Sequence, residues 1–236
     1  CPGSGKTEVV GLKAAYEFHT WKQKHNGIAI LTFTNNAADV IRERVQQFAG
    51  IGKSGYPHFI GTIDSWLHGY LAHPFGYLII GYQGKDGDKS IRVVEDSVSE
   101  GWINNYKCAI GYTINSGGVM PLYANKLRFD VERKEWEINI PHSSEYLSDE
   151  QYFESVAFNN FRSNRYWLTL PYMSQKFFDV KEKFLRDGFA TYHDIEWICY
   201  RLLKEKKDIT ERLSQRFPFI IIDECQDLSW IQLEIL

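Results

Sequence analysis

Several things are missing or scarce in this sequence of 236 residues, and each narrows what it can be. Its four cysteines (Cys1, Cys108, Cys199, Cys225) lie far apart, with neither the paired spacing of a zinc site nor the density of a disulfide framework. Buried or inert thiols are therefore expected. The seven histidines are scattered as well, and no His-Glu-x-x-His pattern occurs. No apolar run approaches the roughly 18 residues that a membrane helix needs. The opening residues carry no charged and apolar signal regions. An intracellular, cytoplasmic location with no membrane partner is the expectation. Excess positive charge is absent too: the net charge is −3 and the pI about 6.2, so bulk electrostatics makes no case for a nucleic-acid partner. Strand binding through a local groove and stacked aromatics needs no basic chain overall, and an aromatic content of 15% allows it while suiting a bulky core equally well. There are no internal repeats and no low-complexity segments.

What is present follows an α/β order. Glu8 to about Lys24 has a helical stripe, Ile28 to Phe33 is an apolar run short enough for a buried parallel strand, and Ala37 to Phe48 is again helical. A loop from Gly50 to Pro57 leads to a strand at His58 to Gly61 and a helix from Ile63 to about Leu71. Strand, helix, strand, helix in this order predicts a parallel sheet with right-handed crossovers. The middle changes character. Turn clusters stand at Gly84–Asp88 and Asn115–Gly118, and alternation between Leu127 and Ile140 predicts an antiparallel hairpin. Helical patterns occupy about Asp149–Asn160, Ser174–Arg186 and His193–Lys204. The α/β pattern returns with an apolar strand, Phe219 to Ile222, and the start of another helix. The expected organisation is one α/β domain (1–75 and 208–236) interrupted by a mixed, mostly helical insertion (76–207).

Two motifs carry chemistry. Gly3-Ser4-Gly5-Lys6-Thr7 has the form of a Walker A loop. Its glycines let backbone N–H groups curl into a nest for phosphate oxygens, and the following helix adds its N-terminal dipole. Lys6 supplies positive charge for the β- and γ-phosphates of ATP, and the Thr7 hydroxyl is a ligand for Mg²⁺. A glycine-rich turn with a chance Lys-Thr would not call for the helix that follows. Ile220-Ile221-Ile222-Asp223-Glu224 has the form of a Walker B, an apolar strand ending in two acids. Asp223 would hold Mg²⁺, and Glu224 would orient and deprotonate the attacking water. Lys6 and Asp223 bracket nearly the whole chain, too far apart for a minimal P-loop fold, so an insertion is required.

Asp223-Glu224-Cys225-Gln226-Asp227 is similar to the Asp-Glu-x-Gln-Asp box of UvrD/Rep-like superfamily 1 DNA helicases. Leu31-Thr32-Phe33-Thr34-Asn35-Asn36-Ala37-Ala38 resembles their Thr-Phe-Thr-Asn-Lys-Ala-Ala motif, and Gly61-Thr62-Ile63-Asp64-Ser65-Trp66 their Gly-Thr-x-His-Ser-Phe box. With the Walker A loop, four boxes stand in the family's order. The resemblance implies a P-loop, RecA-like domain 1A whose parallel sheet is flanked by helices, with a 1B subdomain inserted. It also implies an ATP-dependent, Mg²⁺-requiring helicase moving 3′ to 5′ on single-stranded DNA and acting on tailed duplexes.

In that reading Gln226 senses the γ-phosphate, and Phe33, Thr34, Asn35, Thr62 and Ser65 line the strand channel. Phe33 as a core side chain, and Thr62 with Asp64 or Ser65 as a helix cap, stay open beside these roles. Three positions depart from the family pattern. Asp64 stands where His is usual, Asn36 where Lys is usual, and Cys225, taken as a packing variation, where an aromatic is common. The style of the loop and of Asp227-Leu228-Ser229 also resembles shorter UvrD-like proteins, such as the helicase subunit of Gabija-type phage defence systems, so a nuclease or another repair or defence partner is a further expectation. Helicases of this group use a second RecA-like domain, and the 236 residues alone are expected neither to unwind duplex nor to hydrolyse ATP at a useful rate. The competing reading is a nucleotide-gated regulatory module that binds DNA or a nuclease without unwinding.

Overall fold

The computed structural model describes residues 6–49, 55–95, 97–98, 101–113, 119–132, 134–139, 145–147, 167–169 and 175–236. It divides into two compact units, 1–71 with 199–236 and 72–198.

The first unit opens with helix α1 (Lys6–Thr20), strand β1 (Ile28–Thr32), helix α2 (Asn35–Ala49), strand β2 (Phe59–Thr62) and the short helix α3 (Ile63–Leu67). The β1 run, Ile-Ala-Ile-Leu-Thr, is buried along its whole length, which is what a strand covered on both faces requires. α2 turns Ala38, Ile41 and Val45 inward at helical spacing. These meet Ala14 and Phe18 of α1 with Ile28, Ile30 and Ile60 in one apolar cluster. The helix expected from Ile63 to about Leu71 begins as α3 and continues as a π-helical turn, His68–Ala72.

The second unit continues with α4 (His73–Phe75), α5 (Tyr77–Ile80), β3 (Arg92–Val93), β4 (Lys107–Thr113), β5 (Val119–Tyr123), β6 (Leu127–Asp130), β7 (Glu135–Asn139), β8 (Glu145–Leu147), β9 (Trp167–Thr169), α6 (Gln175–Arg186), β10 (Phe189–Ala190) and α7 (Tyr192–Glu205). The expected hairpin is present as β6 and β7, antiparallel, with Leu127 opposite Ile138 and Phe129 opposite Trp136. In its described residues this unit carries short strands beside its helices. Among the described residues it holds two three-stranded antiparallel sheets, ordered β5-β4-β8 and β6-β7-β9, and a short parallel pair, β10-β3. Their segments are brief, and β5 contains Pro121, so period-two alternation does not announce them. Pro121 is tolerated because β5 is an edge strand. The helix expected at Asp149–Asn160 lies outside the described residues.

α6 and α7 are tied inside this unit by a buried ion pair. Lys181 Nζ lies 2.7 Å from Asp194 Oδ2, with side chains only 3% and 5% exposed. The ammonium also donates to the carbonyl oxygens of Ala124 (3.1 Å) and Leu127 (2.7 Å), so all three of its protons are engaged. Asp194 is at the same time the far half of a capping box on α7. Its Oδ2 accepts from Thr191 N at 2.8 Å, while Thr191 Oγ1 accepts from Asp194 N at 3.2 Å.

The chain returns to the first unit within α7, at Cys199, and goes on through α8 (Lys207–Arg216), β11 (Phe219–Ile222) and α9 (Trp230–Ile235). β11 joins the sheet in the order β11-β1-β2, all parallel, with Ile28 opposite Phe219 and Leu31 opposite Ile222. At the amino edge, Gly27 N donates to Arg216 O at 2.9 Å. A Cβ on Gly27 would stand 2.0 Å from the Pro57 carbonyl oxygen, so only glycine admits this approach.

Candidate functional site: the carboxyl edge of the parallel sheet

Because β11, β1 and β2 run parallel, the segments following them leave from one edge of the sheet. Those segments hold Asp223 to Gln226, Phe33 to Asn35, and the Thr62–Ser65 turn. In open α/β sheets this is the edge where ligands bind. α1 is oriented towards it. The far end of that helix is fixed at the opposite edge, where Phe18 stacks on His58 (centroids 3.7 Å, 13°) and the adjoining Trp21 meets His58 and Phe219, each at 5.9 Å. A helix of 15 residues spans about 22 Å, so its first turn, beginning at Lys6, is directed to the carboxyl edge. Gly3, Ser4 and Gly5 lie outside the described residues, as do the side chains of Lys6 and Thr7.

His58 is a structural member of this arrangement. Its Nδ1 accepts from Ile28 N at 3.2 Å, which requires that nitrogen unprotonated. Burial first, and the Arg216 guanidinium second, lower its pKa to about 4.

The acidic loop is well defined. Asp223 N donates to Leu31 O at 2.9 Å, carrying the parallel pairing one residue beyond β11 and fixing where the Asp223 side chain starts. Asp223 is buried, at 5% exposure. Glu224 takes a left-handed backbone, φ 58° and ψ 43°. A non-glycine residue there costs about 1 kcal/mol or more, and such outliers gather at functional sites. Its carboxylate accepts a hydrogen bond from Gln226 Nε2, so the two polar side chains of the motif already engage one another. The 3₁₀ turn Cys225–Asp227 follows, with Asp227 N donating to Glu224 O at 2.9 Å. Ser229 and Gln232 then form a reciprocal capping box on α9. Cys225 corrects the packing expectation: it is exposed, carried outward on the 3₁₀ turn, whereas Cys108 and Cys199 are buried. Burial pushes the Cys108 thiol up to about 12.

The other two loops show which side-chain oxygens are already occupied. Thr62 caps α3: its Oγ1 accepts from Ser65 N at 3.1 Å and donates to Ser65 Oγ at 3.0 Å, and Ser65 Oγ donates to Thr62 O at 2.8 Å. Thr34 Oγ1 accepts from Ala37 N at 3.2 Å in the same manner at the start of α2. The capping alternative for Thr62 and Ser65 is thus what the fold uses, and Thr34 adds a cap that the sequence did not announce. Asp64 sits exposed in the first turn of α3, and partial desolvation raises its carboxyl pKa. Phe33 is 37% exposed, which argues against a core role, and Asn35 opens α2 on the surface.

No helix among the described residues is long and apolar enough to cross a membrane. The sequence is similar to a "Probable DNA helicase II homolog" of Mycoplasma capricolum (24% identical over 99% of this chain and 29% of the relative). It is also similar to DNA helicase II of Haemophilus influenzae (25%, over 98% and 28%) and to the ATP-dependent DNA helicase SRS2 of Saccharomyces cerevisiae (23%, over 100% and 19%). The chain therefore spans less than a third of the length of each of these relatives. The profile of the UvrD/REP helicase N-terminal domain matches residues 1–236. With its parallel sheet flanked by helices and its phosphate-loop and acidic motifs in sequence, the chain belongs to the UvrD/REP helicase N-terminal domain family.

Proposed function

We propose that this chain is the ATP-binding 1A part, with its 1B insertion, of a helicase that couples ATP hydrolysis to movement on single-stranded DNA, in the 3′-to-5′ direction. The observation that carries the reading is the shared carboxyl edge: three parallel strands deliver the acidic loop and two polar loops to one side, and α1 directs its N-terminus there.

Within that reading Gly3, Ser4 and Gly5 form the phosphate nest, and Lys6 binds the β- and γ-phosphates. The residues fit a divalent cation, since the buried Asp223 stands at a strand end with its backbone pinned and Glu224 beside it. Asp223 and the Thr7 hydroxyl would hold Mg²⁺. That ion, when bound, offsets negative charge on the phosphates. Glu224 would orient the attacking water and take its proton. Gln226, bonded to Glu224, would exchange that partner for a phosphate oxygen and so report on the nucleotide. Phe33 would stack on a base, and Thr34, Asn35, Thr62 and Ser65 would meet the strand backbone. For the three capping residues, contact is by the lone pairs and protons left over from capping. Tailed duplex would be the substrate for unwinding, a nuclease or repair protein a working partner, and an intracellular compartment the setting.

The test is Lys6→Ala in the whole protein. Single-strand-stimulated ATP hydrolysis should fall by about two orders of magnitude or more, and unwinding of tailed duplex should stop. Unwinding retained in that variant would overturn the mechanism. Nucleotide binding by the unaltered protein without any strand separation would favour a regulatory module instead.

A further inference from the structure

At the carboxyl edge of the first unit's sheet, one exposed ring stands beside one exposed acid. β1 and β2 are parallel neighbours with Thr32 opposite Thr62, and adjacent strands lie about 4.8 Å apart. Phe33 and Ile63 therefore leave the sheet side by side. Ile63 is buried at 2% exposure, so the exposed residue next to Phe33 on that side is Asp64. Each is held by its own loop. Thr32 Oγ1 donates to Thr34 O at 2.9 Å across Phe33, and the mutual bonds of Thr62 and Ser65 span Asp64. Asp64 carries the single charge in residues 33–36 and 61–66. Its carboxylate takes no hydrogen bond or ion pair from any described residue. Partial desolvation raises its pKa, so it sheds less water on meeting a partner than an open carboxylate would.

An acid in the first turn of α3 suits the helix dipole, but it also dictates what can lie against it. A carboxylate accepts hydrogen bonds, donates none and repels phosphate. Beside a ring that stacks a base, such a group reads the edge of that base. The bases differ there: cytosine and adenine present an exocyclic amino donor, and thymine presents the O4 acceptor in its place. In an unpaired strand these edges are open. We propose that Asp64 selects the base stacked on Phe33, favouring cytosine or adenine over thymine through a hydrogen bond from the amino group to its carboxylate. The proposal rests on the strand-binding reading above and adds to it a preference among bases. Histidine, usual here in the family pattern, can donate as well as accept and would impose no such choice.

The experiment compares binding of fluorescent oligodeoxycytidylate and oligothymidylate of equal length, near neutral pH, to the whole protein and to its Asp64→Asn variant. These two pyrimidines match in size, so the donor is the difference under test. The unaltered protein should bind the cytosine strand about fivefold or more tightly than the thymine strand. In Asp64→Asn the ratio should fall to about one, because an amide both accepts and donates, and thymine should bind more tightly than before. Salt should weaken both strands together and leave the ratio unchanged, since the phosphates are common to the two. Equal affinity in the unaltered protein overturns the proposal, and so does the same preference kept in the variant. A ratio that shifts with salt would trace the preference to the phosphates and reject Asp64 as its source. The ratio and its salt dependence are read on the unaltered protein, so a variant that folds poorly does not shield the proposal. Failure to bind either strand would sink the strand reading and this preference together, whereas equal binding of both sinks the preference alone.

Discussion

In the first unit the interior between α1, α2 and the sheet is apolar and mostly aliphatic, built from Ile28, Ile30, Ile41, Val45 and Ile60 around Ala14, Phe18 and Ala38. In the second, a lysine and an aspartate lie at 3% and 5% exposure, and the pair braces two helices and caps one of them. An aliphatic core tolerates imperfect shape at moderate cost, because each lost contact is small and non-directional. A buried ion pair tolerates the loss of neither partner, because the survivor keeps its charge without its solvent. The two units should therefore fail differently, and each failure can be forced.

The largest effect is expected at Lys181. Lys181→Met removes the cation and strands Asp194, and should cost about 3–5 kcal/mol, read by urea denaturation. Pairing it with Asp194→Leu should recover a good part of that loss, whereas a double variant as unstable as the single one would show that charge is not what holds these helices. Next comes Ile30→Ala in the first sheet, expected to cost about 2–4 kcal/mol. Hydrogen exchange sharpens the contrast: Ile30→Ala should raise exchange mainly in β1, β2 and β11, and Lys181→Met mainly in α6 and α7. Uniform acceleration by either one would mean that the units do not open separately.

Acid gives a third test. His58 in the first unit and His193 in the second both have a pKa lowered to about 4, principally by burial. Arg128 reinforces the effect at His193 and Arg216 at His58. The unfolded chain, with ordinary imidazoles near 6.5, binds these protons more readily. Their contribution is therefore intact above about pH 6.5 and is lost as pH falls towards 4. A urea midpoint that stays flat from pH 7 to pH 4.5 would contradict this. The smallest effect is a cap: Ser229→Ala should cost α9 about 1 kcal/mol and leave the second unit's exchange unchanged.

The same contrast explains what could be read from sequence. β1 and β11 were legible at Ile28 and Phe219 as short continuous apolar runs, although only β1 is buried along its whole length while β11 is half-exposed. The β6–β7 hairpin was legible through its alternation. β4, β5 and β8 were not, since Gly111 and Pro121 interrupt any pattern and three-residue strands have no period to display. The Lys181–Asp194 brace was invisible for another reason: only tertiary folding brings residues on different helices together, and a lone lysine in a helical pattern reads as solvated. At the sheet edge, the motifs located Asp223, Phe33 and Thr62, but not the caps at Thr34 and Thr62 or the left-handed turn at Glu224, which depend on backbone angles that no spacing encodes.

That turn has a consequence of its own. The backbone at Glu224 favours a residue without a Cβ, so glycine would make the loop easier to fold while removing the carboxylate. Under the role proposed for Glu224, selection for a sturdier loop and selection for a working one pull in opposite directions at this position. With Glu224 in its proposed role, a screen of its variants by thermal stability alone would rank highest a protein that lacks the carboxylate proposed to take the water's proton.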